Sequence, residues 1–172
     1  MIEGGCVNIK RSAKLSKTVL IRGNGSIYIG EYAIIEDNVM FDTGKNIKSK
    51  IIINDRSKIK YGCVLRTYDG YIDIGKRTSI GEYSVLNGNG GLCIGHCVIV
   101  AGHCYFASSN HISTSNTQIR FQGDTAKGIN IQDNCWIGAQ CCILDGVKVG
   151  KNTIIGAGSI ITRDMPESHL CK

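Results

Sequence analysis

Chemistry in this 172-residue chain has to come from a short list of side chains: four histidines, nine cysteines, and 20 Lys and Arg against 14 Asp and Glu. Histidine is the side chain best suited to moving a proton near neutral pH. His96 and His103 fall in regular outward turn positions, and His169 lies past the last regular segment. His111 is different. It follows Asn110 and opens a polar stretch that holds Ser113, Thr114, Ser115, Asn116, Thr117, Gln118, Arg120, Gln122, Asp124 and Lys127. A titratable imidazole at the root of a polar excursion is where a general base would be placed, because rigid scaffolds carry function on their loops.

The cysteines point away from chemistry. There is no CxxC pair, the number is odd, and Cys141 and Cys142 are adjacent. Neither a disulfide framework nor a metal site follows from that spacing, so reduced structural thiols and no bound metal are expected. Net charge is +6, and Lys10, Arg11, Lys14 and Lys17 cluster near the start. Aromatic residues make up only 6%, and a nucleic-acid surface wants stacking aromatics among its basic groups. A solvated basic face is the expectation, with no nucleic-acid partner. The mild positive bias suits a phosphorylated ligand such as a sugar nucleotide.

The elements that must position His111 are written as a six-residue period. It runs through Ile9, Leu15, Ile21; Ile29, Ile35, Phe41; Ile53, Ile59, Leu65; Ile74, Ile80, Leu86; Ile94, Val100, Phe106; Ile131, Ile137, Ile143; and Val149, Ile155, Ile161. All 21 positions are apolar. A short fixed period means a solenoid, and a hexad means a parallel β-helix with three short strands per coil. Residues two before each hexad position share its face. At the first strand of each coil these are sizeable aliphatics such as Val7, Ile72 and Ile129; elsewhere they are small, among them Cys63, Cys104, Cys135 and Cys141. Those four thiols are thereby read as compact interior packing. Three residues after the hexad position come Asn24, Asn38, Gly44, Gly62, Asn89, Asn134, Gly146, Asn152 and Gly158, types that tolerate the left-handed backbone a tight corner needs.

Seven coils of about 4.7–4.9 Å make one column roughly 30 Å tall, a single domain over residues 1–172. The coils are separated by short gaps, with one exception: residues 112–130 are nineteen extra residues ahead of the sixth coil. With no signal peptide and no apolar run of 18 residues, the chain reads as cytoplasmic and without membrane insertion.

Several segments resemble the hexapeptide-repeat acyltransferases. They are the hexads themselves, the arm after the fifth coil, Ser108-Ser109-Asn110-His111, Gln122-Gly123, the run from Ile131 through Trp136 to Ala139, Leu144 to Gly150, and Ile154 to Pro166. Within that family the likeness is to sugar O-acetyltransferases, of the maltose and galactoside type and of the type that modifies capsule, O-antigen and exopolysaccharide. The resemblance implies an all-β, left-handed parallel β-helix and a homotrimer with sites between neighbouring copies, the arm reaching over the adjacent column. It implies acetyl-CoA as acyl donor and a sugar or glycan as acceptor. His111 takes the family's catalytic position. Ala139, Ala157, Thr162 and Arg163 take the cofactor-binding positions. Asn87, Asn89, Asn110 and Trp136 are the matches for acceptor contacts. One departure concerns the end: relatives continue past the position of Pro166 into a segment bordering the cofactor, and here Ser168-His-Leu-Cys-Lys172 follows instead.

The chemistry implied is direct transfer. His111 would take the proton of a sugar hydroxyl as the oxygen attacks the acetyl thioester, and no cysteine is needed. Three other readings share the fold. One is an N-acetyltransferase acting on a nucleotide-linked amino sugar. Another is a non-catalytic β-helix scaffold. The third is a carbonic anhydrase of the same architecture, which needs three converging zinc-binding histidines; the His-x4-His pair of that family is missing here. Serine acetyltransferase is disfavoured, since its helical N-terminal domain has no counterpart.

Overall fold

The computed structural model describes residues 5–114 and 116–171. Ser115 of the polar excursion, the terminal Lys172 and residues 1–4 of the expected domain lie outside the described residues. The chain forms a left-handed parallel β-helix in which each coil contributes one short strand to each of three parallel sheets. Sheet 1 stacks Val7–Ile9, Ser26–Ile29, Lys50–Ile53, Tyr71–Ile74, Leu92–Ile94, Ile129–Ile131 and Lys148–Val149. Sheet 2 runs from Lys14–Leu15 through Ile99–Val100 and Trp136–Ile137 to Ile154–Ile155. Sheet 3 runs from Leu20–Arg22 through Val85–Asn87 and Tyr105–Ala107 to Ile160–Ile161. The hexad sets the register, so like positions stack: Ile53 beside Ile74, Ile74 beside Ile94, Ile94 beside Ile131.

Every hexad residue of the second to seventh coils is buried. In the first coil Leu15 and Ile21 are half-buried and Ile9 is 42% exposed, because only one neighbouring coil covers them. The small interior positions do more than fill space. Ser57 and Thr78 donate their hydroxyls to the corner carbonyls of Gly75 and Gly95, at 2.6 and 2.7 Å. The cysteines do the same through sulfur: Cys63 to Gly81, Cys104 to Gly138, Cys135 to Gly150 and Cys141 to Gly156, at 3.0 to 3.2 Å. The interior thiol is therefore a hydrogen-bond donor as well as a compact filler.

Burial raises the Cys63 and Cys104 thiols to about 11. Two results follow. A thiol reagent is expected to label exposed Cys6 and Cys97 and to spare these buried sulfurs until the protein unfolds, as peptide mass mapping would show. The raised folded-state values favour the protonated native form, so this contribution is complete below the ordinary thiol value of 9.0 and is lost as pH climbs towards about 11. A melting temperature that falls over that interval checks it.

The corners are tighter and less restricted by residue type than the sequence suggests. Asn38, Gly44, Gly62, Asn134, Gly146, Asn152 and Gly158 are left-handed, as expected. Asn24 and Asn89 are not among the left-handed residues; near them Gly23 and Gly91 take positive φ instead. Tyr32, Arg56, Tyr68, Arg77, Tyr83, Cys97, His103 and Gln140 are also left-handed, with φ of 54° to 60°. The stacking explains why such residues are held there. Arg56, Arg77, Tyr83, Cys97 and His103 each donate their N–H to a corner carbonyl of the preceding coil, at 2.8 to 3.0 Å. Glycine directly after the hexad residue serves a different need: a Cβ at Gly75 would lie 2.4 Å from the Gly95 carbonyl.

Two boundaries shift. Leu170–Cys171 adds an eighth rung to sheet 2, Cys171 pairing with Ile155, while Met165 bridges Val149. Met165 and Cys171 are again six apart, but two residues out of phase with Ile161, which hides the continuation. The excursion is also narrower than the gap 112–130: the column resumes with Ile129–Ile131, and Ile129 is core. Its legs close as an antiparallel ribbon, Asn110–His111 against Asp124–Thr125, so His111 belongs to the arm rather than to the coil.

One face stands out. One outward row of sheet 3, Leu20, Met40, Val64, Val85, Tyr105, Cys142 and Ile160, is in register and apolar, and beside it on the same face runs a mostly polar row, Arg22, Asp42, Arg66, Asn87 and Ala107. A continuous apolar stripe of this kind marks an interaction surface.

Candidate active site

The arm leaves the column at the corner between sheets 3 and 1. Its two legs are fixed by the ribbon, which sets His111 directly opposite Asp124. Their side chains meet: His111 Nδ1 lies 2.5 Å from Asp124 Oδ1, with side-chain exposures of 74% and 43%. A carboxylate on Nδ1 selects the tautomer that leaves Nε2 free to accept a proton, and it stabilises the imidazolium that results. The tip is organised by Gln122, whose carbonyl accepts the Thr114 N–H at 2.9 Å and whose amide donates to the Thr117 carbonyl at 2.7 Å. Ile119 and Phe121 sit in a short 3-10 turn there, with Phe121 75% exposed.

A cleft of about 430 Å³ opens beside the ribbon, lined by Tyr68, Asn87, Asn89, Tyr105, Ala107, Ser109, Asn110, His111 and Asp124. Tyr68 and Asn89 come from the corners of the third and fourth coils. Asn87 and Tyr105 come from adjacent rungs of sheet 3, and Asn87 Nδ2 donates to the Tyr105 hydroxyl at 2.7 Å. Asn87 is buried, and its Oδ1 has no hydrogen-bond partner. Buried acceptors are normally satisfied, and this one is closed off from solvent as well as unpartnered.

Of the residues singled out in the sequence, the structure brings together His111, Asn87, Asn89 and Asn110. The others lie elsewhere on the single chain. Trp136 stands on sheet 2, 53% exposed, stacked between Ile99 and Ile154. Ala139 and Ala157 form the corner between sheets 2 and 3, where Gly158 donates its N–H to the Ala139 carbonyl at 2.8 Å. A Cβ at Gly158 would meet nothing within 4 Å, so the space beside this corner is open. Thr162 and Arg163 are exposed on the corner after sheet 3, below the arm.

The sequence reading missed Asp124 as a partner of His111, and Tyr68 and Tyr105 as walls of the cleft. Tyr105 carried a signal, since it precedes hexad residue Phe106 and must point outward. Asp124 carried none, because only the pairing of the two legs reveals it. Among the described residues no three His, Cys, Asp or Glu side chains gather as metal ligands. No helix among them is long and apolar enough to cross a membrane.

Residues 128–163 match the family described as bacterial transferase hexapeptide (six repeats). The chain is similar to the galactoside O-acetyltransferase of Lactococcus lactis, 36% identical over 41% of this chain and 37% of that protein. It is also similar to the galactoside O-acetyltransferase of Escherichia coli, 29% identical over 80% of this chain and 55% of that protein. The chain thus spans about half or less of the length of the curated relatives it matches. Among solved structures, the polySia-specific acetyltransferase NeuO superposes with a TM-score of 0.66 at 27% identity, covering 96% of this chain and 72% of that one. The chain resembles the hexapeptide-repeat acyltransferases, and within them the sugar O-acetyltransferases.

Proposed function

We propose that this hexapeptide-repeat protein is an acetyl-CoA-dependent O-acetyltransferase of a sugar hydroxyl, acting in the cytoplasm on an acceptor for capsule, O-antigen or exopolysaccharide. The observation that carries the reading is the His111–Asp124 pair at the mouth of a cleft that contains an unpartnered buried amide oxygen.

A sugar hydroxyl is a weak nucleophile at neutral pH. His111 Nε2 takes its proton, Asp124 holds the imidazole and stabilises its charged form, and the imidazolium returns the proton to the departing thiolate. General base action of this kind is worth about 10²–10⁴-fold in rate. Bound acetyl-CoA supplies the electrophilic thioester carbonyl. Asn87, Asn89, Asn110 and Tyr68 line the site of the acceptor. The small residues Ala139 and Ala157 let the donor lie along their edge, Trp136 stands beside it, and Thr162 and the Arg163 cation complete the donor contacts.

Thr162 and Arg163 share the corner of His111, but the Ala139–Ala157 edge is one to two coils from His111 in height and on a different corner, and a trimer joins them. Sheet 3 lies between the corner that bears His111 and the corner that bears Ala139 and Ala157. When three copies turn sheet 3 towards a common axis, each copy's His111 edge meets the next copy's Ala139–Ala157 edge. The exposed apolar arm tip, Ile119 and Phe121, then has a neighbour to rest on. The homotrimer is therefore part of the proposal.

The reading is tested by supplying acetyl-CoA with a panel of sugars and sugar nucleotides and reading products by mass. An acetyl gain removed by mild base, as an ester is, supports it. A base-stable gain, confined to amino sugars, would favour the N-acetyltransferase alternative, and no transfer together with no acyl-CoA binding would favour a scaffold.

A further inference from the structure

We infer that Asp145, a carboxylate of the sixth coil outside the cleft, is the positioning residue that holds the arm's return leg and so keeps Asp124 on His111. The inference rests on the proposed role of the His111–Asp124 pair.

Asp145 sits at a coil corner, two residues after hexad residue Ile143. Elsewhere a carboxylate at the same place in the repeat caps the corner of the preceding coil: Asp55 accepts the Glu31 N–H at 3.0 Å, and Asp133 accepts the His96 N–H at 2.8 Å. Ahead of the sixth coil that corner has been replaced by the arm. Asp145 Oδ1 therefore accepts two amides of the returning chain, Lys127 N–H at 2.8 Å and Gly128 N–H at 2.9 Å. Its Oδ2 accepts the Thr125 hydroxyl at 3.0 Å, and that hydroxyl also reaches the Asn110 carbonyl at 3.3 Å. Thr125 is the residue after Asp124 and pairs with Asn110, the residue before His111. Among the described residues the ribbon has these two residue pairs and one further backbone bond, Ile112 N–H to the Gly123 carbonyl at 3.0 Å, a short ladder with little to fix its register. Three hydrogen bonds to one carboxylate fix the return leg to the rigid column instead.

Substitutions distinguish Asp145 from an ordinary corner cap. Misplacing a catalytic group by about 1 Å costs about 10²-fold in rate, so Asp145→Ala is expected to lower kcat by about that factor with the KM for acetyl-CoA little changed. Asp145→Asn keeps an acceptor oxygen for the two amides and is expected to fall between Ala and wild type. Thr125→Val, which removes only the hydroxyl link, is expected to lower kcat in the same direction. Asp133→Ala, the equivalent cap away from the arm, is expected to leave kcat unchanged. If Asp145 acts through Asp124, adding Asp145→Ala to Asp124→Asn slows the enzyme no further.

The decisive readout does not need turnover. Nitrogen-15 NMR of the His111 imidazole is expected to show one tautomer in wild type, protonated on Nδ1, and a mixture in Asp145→Ala, with the melting curve of each variant confirming its fold. An unchanged imidazole signal in folded Asp145→Ala, or a full additional rate loss in the Asp124→Asn background, would overturn the inference. Should no acceptor be acetylated at all, the functional proposal fails and the imidazole signal still decides the role of Asp145.

Discussion

Replacing His111 with Ala is expected to reduce acetyl transfer by about 10²–10⁴-fold, a rise of roughly 3–5 kcal/mol in the barrier. The loss should appear in kcat, because a proton acceptor acts while the bond to the hydroxyl proton is breaking. Donor affinity should stay close to wild type, since the proposed donor edge is formed by other residues. His111 is well suited to such a test. Its side chain is 74% exposed and supports no core contact, so its removal leaves the column intact. Asp124→Asn should be slower than wild type and faster than His111→Ala, because an amide on Nδ1 no longer enforces the productive tautomer. Steady-state rates over a range of acetyl-CoA concentrations separate the two parameters. Retention of more than a few per cent of the wild-type rate in His111→Ala would remove this residue from the chemistry.

Substituting Val85 with Glu is expected to break the assembly and to abolish transfer with it. Val85 lies mid-way along the apolar stripe of sheet 3, between Val64 and Tyr105 on the neighbouring rungs. Its side chain points away from the interior, so a glutamate there is compatible with a folded chain. In a trimer that buries sheet 3, the same glutamate places a charge in an apolar contact, which costs several kcal/mol without a partner. Sedimentation should give three times the 18.6 kDa chain mass for wild type and a single chain mass for Val85→Glu. The β-sheet circular dichroism of the two should match. A wild-type protein that sediments as one chain and still transfers acetyl would show that the cleft works without a neighbour.

The architecture was legible because the hexad is a direct record of stacking. Each coil repeats the same interior position, so 21 apolar residues at one spacing leave a single way to bury them all. The left-handed corners were only half legible. Asn and Gly announce such corners, but Arg56, Tyr83 and His103 are held there by N–H bonds to the coil before, and residue type alone does not record that restraint. The eighth rung was hidden by the two-residue phase slip at Met165. Of the site, His111 was legible because it stands where the period breaks. Asp124 and Asp145 were not, because their roles depend on how an aperiodic loop folds back, and that is set by pairing across the ribbon and by hydrogen bonds to one corner. Asn87 was placed by likeness to relatives; its orphan oxygen became visible only in three dimensions.

The central claim is that the acetyl group passes straight to a sugar oxygen at the His111–Asp124 pair, with no covalent stop on the protein. The most direct measurement follows radiolabelled acetyl-CoA in a single turnover, with wild type and His111→Ala in parallel, and counts label on protein and on acceptor. Wild type should place base-labile label on the sugar and none on the chain, and His111→Ala should place almost none on either. Label accumulating on a cysteine before it reaches the acceptor, or equal labelling of the sugar by both proteins, would contradict it.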